Sequence, residues 1–424
     1  MTEWRPVRIA DVELSRHLRP PAGADPERYG SVRALVRLHG RPLGLVTLPV
    51  GASPDEQARV VSQALGPRVA EHLAGDGLDA VERVPAAGLP CEGIPPCAVR
   101  RHAVLEGAPA VTVLVATRDR TRELAACLGS LLEQDYPGPY DIVVTDSAPS
   151  SDTTRRYVHD RFDGEERVRY VRTERPGLGL AHNHGLEAAT GEVVAITDDD
   201  VVVDPQWLSA MVEAFRAYPG TACVTGLILP IELETPAQAL LEQYGGFTRG
   251  FERRAYSLGP DRPDDPLFPY TAGRLGSGAN MAFVTDALRA LGGFDPALGA
   301  GTPARGGDDL AAFVRVILAG HRLVYQPDAV VWHRHRRDFA GLRAMAEGYG
   351  VGLGAYLAST VASRPASLVD ALREARRVPA YLLRADSPKN RGKGREYPRE
   401  LERIERLGML RGPAAYVRSR LASR

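Results

Sequence analysis

Short apolar runs alternate with amphipathic helical segments over residues 110–217, and this alternation constrains the fold more than any other feature. The runs VTVLVAT, YDIVVTD, VRYVR and EVVAIT have the length and β-branched content of strands. A segment of about 10–15 residues with helical spacing follows each of them. Strands that alternate with helices in this way form βαβ units. The sequence therefore predicts an α/β fold with a mostly parallel sheet covered by helices on both faces.

Two flanking regions differ in pattern from this central part. Residues 1–105 combine two strand-like runs, a helical segment and a linker rich in Pro and Gly, which predicts a small N-terminal α+β domain. Residues 338–424 are helical in pattern and become basic, with fifteen Lys and Arg against six Asp and Glu over residues 371–424. We expect three parts, with the α/β fold in residues 106–337.

Composition excludes several classes of protein. Lys plus Arg and Asp plus Glu number 53 each, so net charge gives no reason to expect a nucleic-acid partner. There is no run of eighteen apolar residues, and the N-terminal segment lacks the apolar core of a secretory signal. We therefore expect a cytoplasmic protein, or one held at the inner face of the membrane by its basic C-terminal region.

The four cysteines, Cys91, Cys97, Cys127 and Cys223, do not have the spacing of a metal site. None forms a CxxC pair, and zinc requires further ligands at tighter spacing. Cys91 and Cys97 could close a small disulfide, but free thiols are expected in a cytoplasmic protein. We therefore predict free cysteines and no zinc site.

Polar side chains follow three of the predicted strands. Thr117 ends the first strand, Asp146 the second and Asp198–Asp200 the fourth. Ligands of open α/β sheets bind beyond the C-terminal ends of the strands, so these residues should meet in one crevice. Adjacent carboxylates repel unless they are solvated or a cation lies among them. The triplet predicts either a site for Mg²⁺ or Mn²⁺ or a solvated acidic turn.

In their order, these motifs resemble those of the inverting glycosyltransferases of family 2, which have the GT-A fold. The resemblance runs over residues 109–335, about half of the chain. It implies a hexosyltransferase-like enzyme that transfers a sugar from a nucleotide-diphosphate sugar, with inversion and with a divalent metal. Only two of the 53 basic residues are lysines, a bias typical of a GC-rich genome, and we expect a bacterial member with extra terminal regions.

The resemblance implies a nucleotide-binding role for several residues. VTVLVATRDR is similar to the opening strand of the family and implies contacts from Thr117, Arg118 and Asp119, although Ala116, Arg118 and Asp119 replace Pro, Tyr and Asn of the family pattern. IVVTDSAPSSDTT implies that Asp146 contacts the nucleotide base.

Further nucleotide and metal positions follow in family order. RPGLGLAHNHGL implies a role for Asn183, with His182 in place of an arginine. AITDDD resembles the DxD element, which implies metal binding by Asp200, a metal or ribose contact for Asp198, and a place for Asp199 beside the nucleotide sugar. His333, after the strand AVVW, resembles a later histidine of the family that completes the metal shell, with His335 as its rival.

The catalytic and acceptor positions lie further along the chain. GGDDLAAF resembles the family's Glu-Asp-x-Asp segment, which implies that Asp309 is the general base and Asp308 stands in the Glu position. Ala311 replaces the second Asp of that pattern. GSGANMAF resembles a sugar- and acceptor-side segment and places Asn280 there with Asp308.

Two other functions stay open. Ala311 and the altered opening motif would suit a non-catalytic nucleotide-sugar-binding protein. GLGLAHNHG after a strand imitates the fingerprint of an NAD-dependent dehydrogenase, but His182 occupies its third glycine position. A uridine diphosphate sugar is the expected donor because it is common in the family. The acceptor is left open among lipid-linked, polysaccharide and small-molecule classes.

Overall fold

The computed structural model describes residues 4–243, 246–364 and 397–423. In this part of the chain, an N-terminal sheet with its helix precedes a large α/β unit, and two long helices follow it. The predicted small N-terminal domain, central α/β domain and helical C-terminal region are thus all present as architecture. Much of the basic stretch from residue 371 lies outside the described residues. None of the described helices combines the length and apolar character that crossing a bilayer requires.

The N-terminal unit is a three-stranded sheet covered by a helix. Its elements are β1 (Val7–Glu13), β2 (Ser31–Leu38), β3 (Arg41–Leu48), α1 (Pro54–Gly75) and α2 (Pro96–Val104). The predicted hairpin is formed by β2 and β3, which pair antiparallel around the turn at His39 and Gly40. β1 was not predicted; it pairs in parallel with β2. The Ser53 hydroxyl accepts a hydrogen bond from the Glu56 amide and so caps α1.

The central sheet has nine strands in the described part of the chain, in the order β10-β12-β9-β11-β7-β4-β5-β6, with β8 paired to β12. The strands are β4 (Val111–Thr117), β5 (Tyr140–Ser147), β6 (Val168–Thr173), β7 (Val193–Asp198), β8 (Val201–Val203), β9 (Thr221–Pro230), β10 (Arg254–Tyr256), β11 (Asn280–Val284) and β12 (Arg322–His333). Of these, β4, β5, β6, β7, β9 and β12 run in one direction, which confirms the mostly parallel sheet. β11 runs against its neighbours β7 and β9.

Helices cover both faces of this sheet. They are α3 (Thr121–Leu132), α4 (Thr153–Arg161), α5 (Leu178–Ala188), α6 (Trp207–Ala217), α7 (Pro236–Gln243), α8 (Thr285–Ala290) and α9 (Asp308–Leu318), with a 3₁₀ turn at Ala272–Arg274. Alternate side chains of β4 enter two separate cores: Val113 packs with α3 and α6, while Leu114 packs with α5 and α9. This alternation is what a strand covered on both faces requires.

The C-terminal helices α10 (Phe339–Ser363) and α11 (Arg399–Ala422) pack against each other and against the central domain. Their backbones approach closely at Gly354 and Gly412, where a Cβ atom on Gly412 would lie 2.5 Å from the Gly354 Cα. Tyr356 of α10 is fully buried, and its hydroxyl donates to the Tyr270 carbonyl. The close packing of α10 brings its residues next to the start of α9.

Candidate functional site

The strand register brings the predicted crevice residues to one edge of the sheet. Thr117 at the end of β4 pairs with Asp146 of β5, and its neighbour Ala116 pairs with Asp198 of β7. Asp146 and Asp198 therefore flank the end of β4 on either side, with strands spaced about 4.8 Å apart. The meeting of these residues follows directly from parallel pairing.

Asp146 has an unused acceptor. Its side chain is buried, and Oδ2 accepts a hydrogen bond of 2.8 Å from the Tyr170 hydroxyl. Oδ1 is buried as well and has no hydrogen-bond partner among the described residues. Burial raises the pKa of Asp146, and the Tyr170 hydrogen bond offsets part of that rise. A buried carboxylate oxygen without a donor is unfavourable, and an N–H or hydroxyl of a ligand would satisfy it.

The Asp198–Asp200 turn joins β7 to β8 and is held by Arg120, which the sequence analysis did not identify. The Arg120 guanidinium donates to Asp199 Oδ1 (2.6 Å) and to Asp200 Oδ2 (2.7 Å). Thr117 Oγ1 donates to the other oxygen of Asp199 (2.7 Å). Three adjacent carboxylates make an arginine partner an expected feature. The sequence does not show which of the many arginines of this chain it is, because the pairing depends on the fold.

Thr117 and Asp199 stabilise the turn. Each oxygen of Asp199 accepts from a protein donor, and the Thr117 hydroxyl donates its proton to Asp199. Their contact with a nucleotide sugar stays a prediction, since both side chains keep acceptor lone pairs. Repulsion remains for Asp198, whose pKa is raised well above its usual range by burial and then by Asp200 and Asp199.

Asp198, Asp200 and His333 form a group that could hold a metal ion, with one ligand atom of each lying within 4.8 Å of the others. β8 and β12 create it, because their pairing sets His333 opposite Val201, the residue after Asp200. His333 Nε2 lies 3.4 Å from Asp200 Oδ1, a buried oxygen that has no hydrogen-bond partner in the described structure. Burial lowers the pKa of His333 to about 4, so the imidazole is neutral near pH 7, as a metal ligand must be.

The structure separates the two rival histidines. His335 Nε2 lies 2.8 Å from Glu242 Oε1, and the His335 side chain is fully buried. Its Nδ1 lies 3.1 Å from His333 Nδ1. His333 is therefore the histidine that faces the aspartates, and His335 lies behind it.

Asp309 lies at the first turn of α9 and is held by backbone donors. Its Oδ2 accepts from the Gly278 amide and its Oδ1 from the Leu310 amide, each at 2.8 Å. Burial, followed by the charge of Asp308, raises the pKa of Asp309 to about 6. A carboxylate with that pKa is mostly ionised at pH 7 and still able to accept a proton.

Asp309 lies at the same edge of the sheet as Asp198. The Gly278 amide donates to Asp309, and the carbonyl of the next residue, Ala279, accepts from Thr197 Oγ1 (2.8 Å). Thr197 is the residue before Asp198 on β7. The Asp309 carboxylate and the Asp198 end of β7 therefore contact adjacent residues of one segment.

Two of the predicted contact residues hold segments of the fold together. Asn280 is fully buried: its Oδ1 accepts from Trp207 Nε1 (2.8 Å), and its Nδ2 donates to the carbonyls of Leu227 and Ala329. Asn183 exchanges two hydrogen bonds with the backbone of Phe294. Both N–H groups of Asn280 are used inside the fold, so its side chain does not face a sugar. Asn183 is half-buried and uses only one of its two N–H groups on Phe294, so its nucleotide contact stays a prediction.

The remaining predicted residues differ in exposure. Asp308 is buried, and its Oδ2 lies 3.5 Å from His182 Nδ1. Asp119 has a left-handed backbone, φ 54°, and its Oδ1 accepts from the amide and hydroxyl of Ser150, which joins the loops after β4 and β5. Arg118 beside it has an exposed side chain. Ala311 lies on the buried face of α9 and packs in the core.

Packing accounts for the glycines that imitate a dinucleotide fingerprint. A Cβ on Gly179 would lie 2.6 Å from the Asp295 carbonyl, and Gly177 has φ 144°, which side chains rarely adopt. These glycines let α5 approach the segment after α8. Their presence needs no phosphate ligand.

Comparison with known proteins gives one family match. Residues 112–274 match the model described as Glycosyl transferase family 2. An uncharacterized protein of Sinorhizobium fredii, y4gI, is 31% identical over 180 residues, 42% of this chain and 19% of that protein. The chain thus spans about a fifth of that relative's length.

Two further similarities extend beyond the matched residues. The glucosyl-dolichyl phosphate glucuronosyltransferase of Haloferax volcanii is 26% identical over 258 residues, 56% of this chain and 75% of that enzyme. Among solved structures, the mannosyltransferase PcManGT of Pyrobaculum calidifontis, in complex with GDP-Man and Mn²⁺, has a TM-score of 0.44 at 22% identity, over 76% of this chain and 79% of that one. The family match covers residues 112–274, about two fifths of the chain, and lies within the central α/β unit.

Proposed function

We propose that this chain is a metal-dependent, inverting glycosyltransferase of the hexosyltransferase type, acting on a nucleotide-diphosphate sugar. One observation carries the proposal: an unpaired buried oxygen of Asp146, the Asp198, Asp200 and His333 group, and Asp309 meet at one edge of the sheet. They correspond to three requirements of the reaction, which are binding of the nucleotide, stabilisation of a diphosphate and removal of a proton.

The residues of the metal group fit a hard divalent cation. They offer two carboxylates and a neutral imidazole, and Asp200 Oδ1 is buried without a hydrogen-bond donor. Arg120 compensates only part of the charge of the Asp198–Asp200 turn, so negative charge remains for a cation. Asp198, Asp200 and His333 would hold Mn²⁺ or Mg²⁺, and the bound ion would stabilise the charge on the departing diphosphate.

Asp309 would act as the general base. As the acceptor oxygen bonds to the anomeric carbon, its proton passes to the Asp309 carboxylate and the bond from that carbon to the diphosphate breaks. Attack opposite the leaving group inverts the anomeric configuration. The Gly278 and Leu310 amides hold the carboxylate in place, which fixes the direction of proton transfer.

Substrate classes follow in part from neighbouring surfaces. A cavity of about 440 Å³ beside Asp200 is lined by Arg122, Arg334 and Arg337, side chains that suit phosphate groups, although Arg334 and Arg337 also pair with Glu232. We propose a uridine diphosphate sugar as donor.

For the acceptor we propose a lipid-linked sugar phosphate, because the Haloferax relative is described as acting on glucosyl-dolichyl phosphate. The exposed apolar residues Leu410 and Leu421 of α11 would suit contact with a membrane surface.

The test begins with ligand binding by the full chain. Nucleotide sugars are screened with and without Mn²⁺ for a rise in melting temperature, since a ligand that binds only the native state stabilises it. Nucleotide release is then measured for the wild type, for Asp309→Asn and for the matched control Asp286→Asn, whose side chain is exposed on α8.

We expect Asp309→Asn to lower kcat by about 10²–10⁴-fold with binding retained, and Asp286→Asn to leave it unchanged. Binding of a nucleotide sugar by the wild type without any turnover would instead indicate a non-catalytic binding protein. Full activity of Asp309→Asn would refute the role of Asp309.

A further inference from the structure

Four potential metal ligands converge in the N-terminal unit, outside the residues that match the family model. They are His39 in the β2–β3 turn, His72 at the end of α1, Asp76 just after it, and Cys97 at the start of α2. One ligand atom of each lies within 4.8 Å of all the others. No CxxC pair is involved, and the four positions are spread over 59 residues of sequence, which is why cysteine spacing alone predicted no zinc site.

The distances between these atoms match the edges of a coordination tetrahedron. His39 Nδ1 lies 3.1 Å from His72 Nε2 and 2.9 Å from Asp76 Oδ2. The distance between Asp76 Oδ2 and His72 Nε2 is 3.4 Å. Cys97 Sγ lies 3.7 Å from each of the two histidine nitrogens. Tetrahedral zinc, with bonds of about 2.0–2.1 Å to nitrogen or oxygen and about 2.3 Å to sulfur, separates its ligand atoms by about 3.3–3.6 Å.

Hydrogen bonds alone account poorly for this convergence. His39 Nδ1 carries one lone pair or one proton, yet three potential ligand atoms lie within 3.7 Å of it. The other nitrogen of the ring, Nε2, is buried and has no hydrogen-bond partner among the described residues. All polar contacts of this buried imidazole therefore lie on the side of the cluster.

We infer that His39, His72, Asp76 and Cys97 bind a structural zinc ion. Two imidazoles, a carboxylate and a thiolate are ligands that zinc takes in four-coordinate sites. The set is closed: the His39 and Asp76 side chains are 0% and 1% exposed, and Cys97 is buried. A site with four protein ligands and no access for substrate is structural and does not take part in the chemistry.

Outer contacts fix the ligands from behind. The second oxygen of Asp76 accepts from Arg100 of α2 (2.6 Å), and the His39 and Gly40 amides donate to the two oxygens of Glu13 on β1. Such outer hydrogen bonds orient metal ligands and are part of a metal site. Zinc would therefore fasten α2 to the hairpin and to α1.

The fastened helix connects two parts of the molecule. Arg101 of α2 and Arg41 of β3 share the carboxylates of Glu213 on α6 and Asp328 on β12. All four side chains are largely buried, so this ion-pair network depends on accurate placement of α2. Zinc would hold the N-terminal unit in register with the central sheet.

Metal content and a spectroscopic probe test the inference on the full chain. Zinc is measured in the purified wild type and in Cys97→Ser, with Cys91→Ser as the matched control, because Cys91 lies outside the cluster. In parallel, Co²⁺ is exchanged into each protein and the thiolate-to-cobalt charge-transfer absorption is recorded. This absorption requires a cysteine ligand, so a metal at Asp198, Asp200 and His333 does not produce it.

We expect about one zinc per chain in the wild type and in Cys91→Ser, and at least about tenfold less in Cys97→Ser. The cobalt–thiolate absorption should be present in the first two proteins and absent from the third. If Cys97→Ser does not fold, the wild type and Cys91→Ser still decide the matter by their zinc content and cobalt spectrum. A wild type with neither zinc nor the cobalt–thiolate absorption, or a Cys97→Ser protein that keeps both, would overturn the inference.

Discussion

Two groups of metal-ligand side chains in the described structure differ in how completely the protein surrounds them. The N-terminal group brings four ligands together from a turn and two helices and buries them. The group at the end of β7 brings only three, at the open edge of a sheet, and leaves a buried Asp200 oxygen without a donor. A closed shell suits a structural ion, whereas an incomplete shell leaves room for substrate oxygens. Similar ligands thus support different roles because the folds around them differ.

The two groups also differ in how their charge is balanced. Asp76 in the N-terminal group has Arg100 and two histidines beside it. In the Asp198–Asp200 turn, Arg120 pairs with Asp199 and Asp200, and His333, Arg120 and Arg336 lower the pKa of Asp200. Burial and the neighbouring aspartates raise the pKa of Asp198, so its negative charge is the one that a bound cation would stabilise.

Removal of metal should have the largest effect and should separate the two groups. We expect brief treatment with EDTA to lower turnover by about 10³-fold or more, since a catalytic ion contributes several kcal/mol, and Mn²⁺ to restore it. Zinc in the closed N-terminal group should stay bound during the same treatment. Turnover and zinc content are measured on one sample. Unchanged turnover, or loss of zinc in parallel with loss of activity, would contradict the assignment of a catalytic ion to the open group and a structural ion to the closed group.

Substitution of His333 should weaken only the open group. We expect His333→Gln to raise the Mn²⁺ concentration for half-maximal activity by about 10–100-fold, because a ligand beside Asp200 is lost. His159→Gln is the matched control, since the His159 side chain is exposed on α4 and is not one of the potential metal ligands. Zinc content should not change in either variant. An equal effect of both substitutions on the Mn²⁺ requirement would argue against His333 as the ligand.

The pH dependence of activity should report Asp309. Its pKa of about 6 means that the carboxylate is ionised above about pH 6 and protonated below it. A protonated carboxyl cannot accept the acceptor's proton, so kcat/KM should fall about tenfold per pH unit below pH 6. The profile is measured with Mn²⁺ in excess. A rate that stays constant down to about pH 5 would contradict this role.

The smallest effect should be a gain in stability. Burial raises the pKa of Asp309, so the native state binds its proton more readily than the unfolded state, and stability declines as pH rises from about 4 to about 6. Asp309→Asn removes the charge, and we expect about 1 kcal/mol more stability at neutral pH and no gain at about pH 4. Cys97→Ser should instead destabilise the protein. Thermal unfolding at both pH values checks this, and a loss of stability in Asp309→Asn at neutral pH would contradict it.

Much of the central fold could be predicted from local pattern. The strands and helices from β4 to α6 follow from apolar periodicity, and the meeting of Asp146 with Asp198 follows from parallel pairing on either side of β4. The insertion of β11 between β7 and β9 could not be predicted, because antiparallel pairing over about 80 residues leaves no local mark. The prediction for Asn280 was wrong for a related reason: an amide used inside the fold looks the same in sequence as one used on a ligand.

The sequence by itself determined the periodic elements, the acidic residues at the strand ends and the family resemblance, because each depends on neighbours within a short stretch of chain. Only the tertiary structure decided which chemically equivalent side chains meet. His333, and not His335, lies beside the aspartates, and Arg120 is the arginine that pairs with them. Four residues distant in sequence lie together in the N-terminal unit: His39, His72, Asp76 and Cys97. Long-range contacts of this kind arise from the packing of whole elements, and the spacing of residues along the chain does not encode them individually.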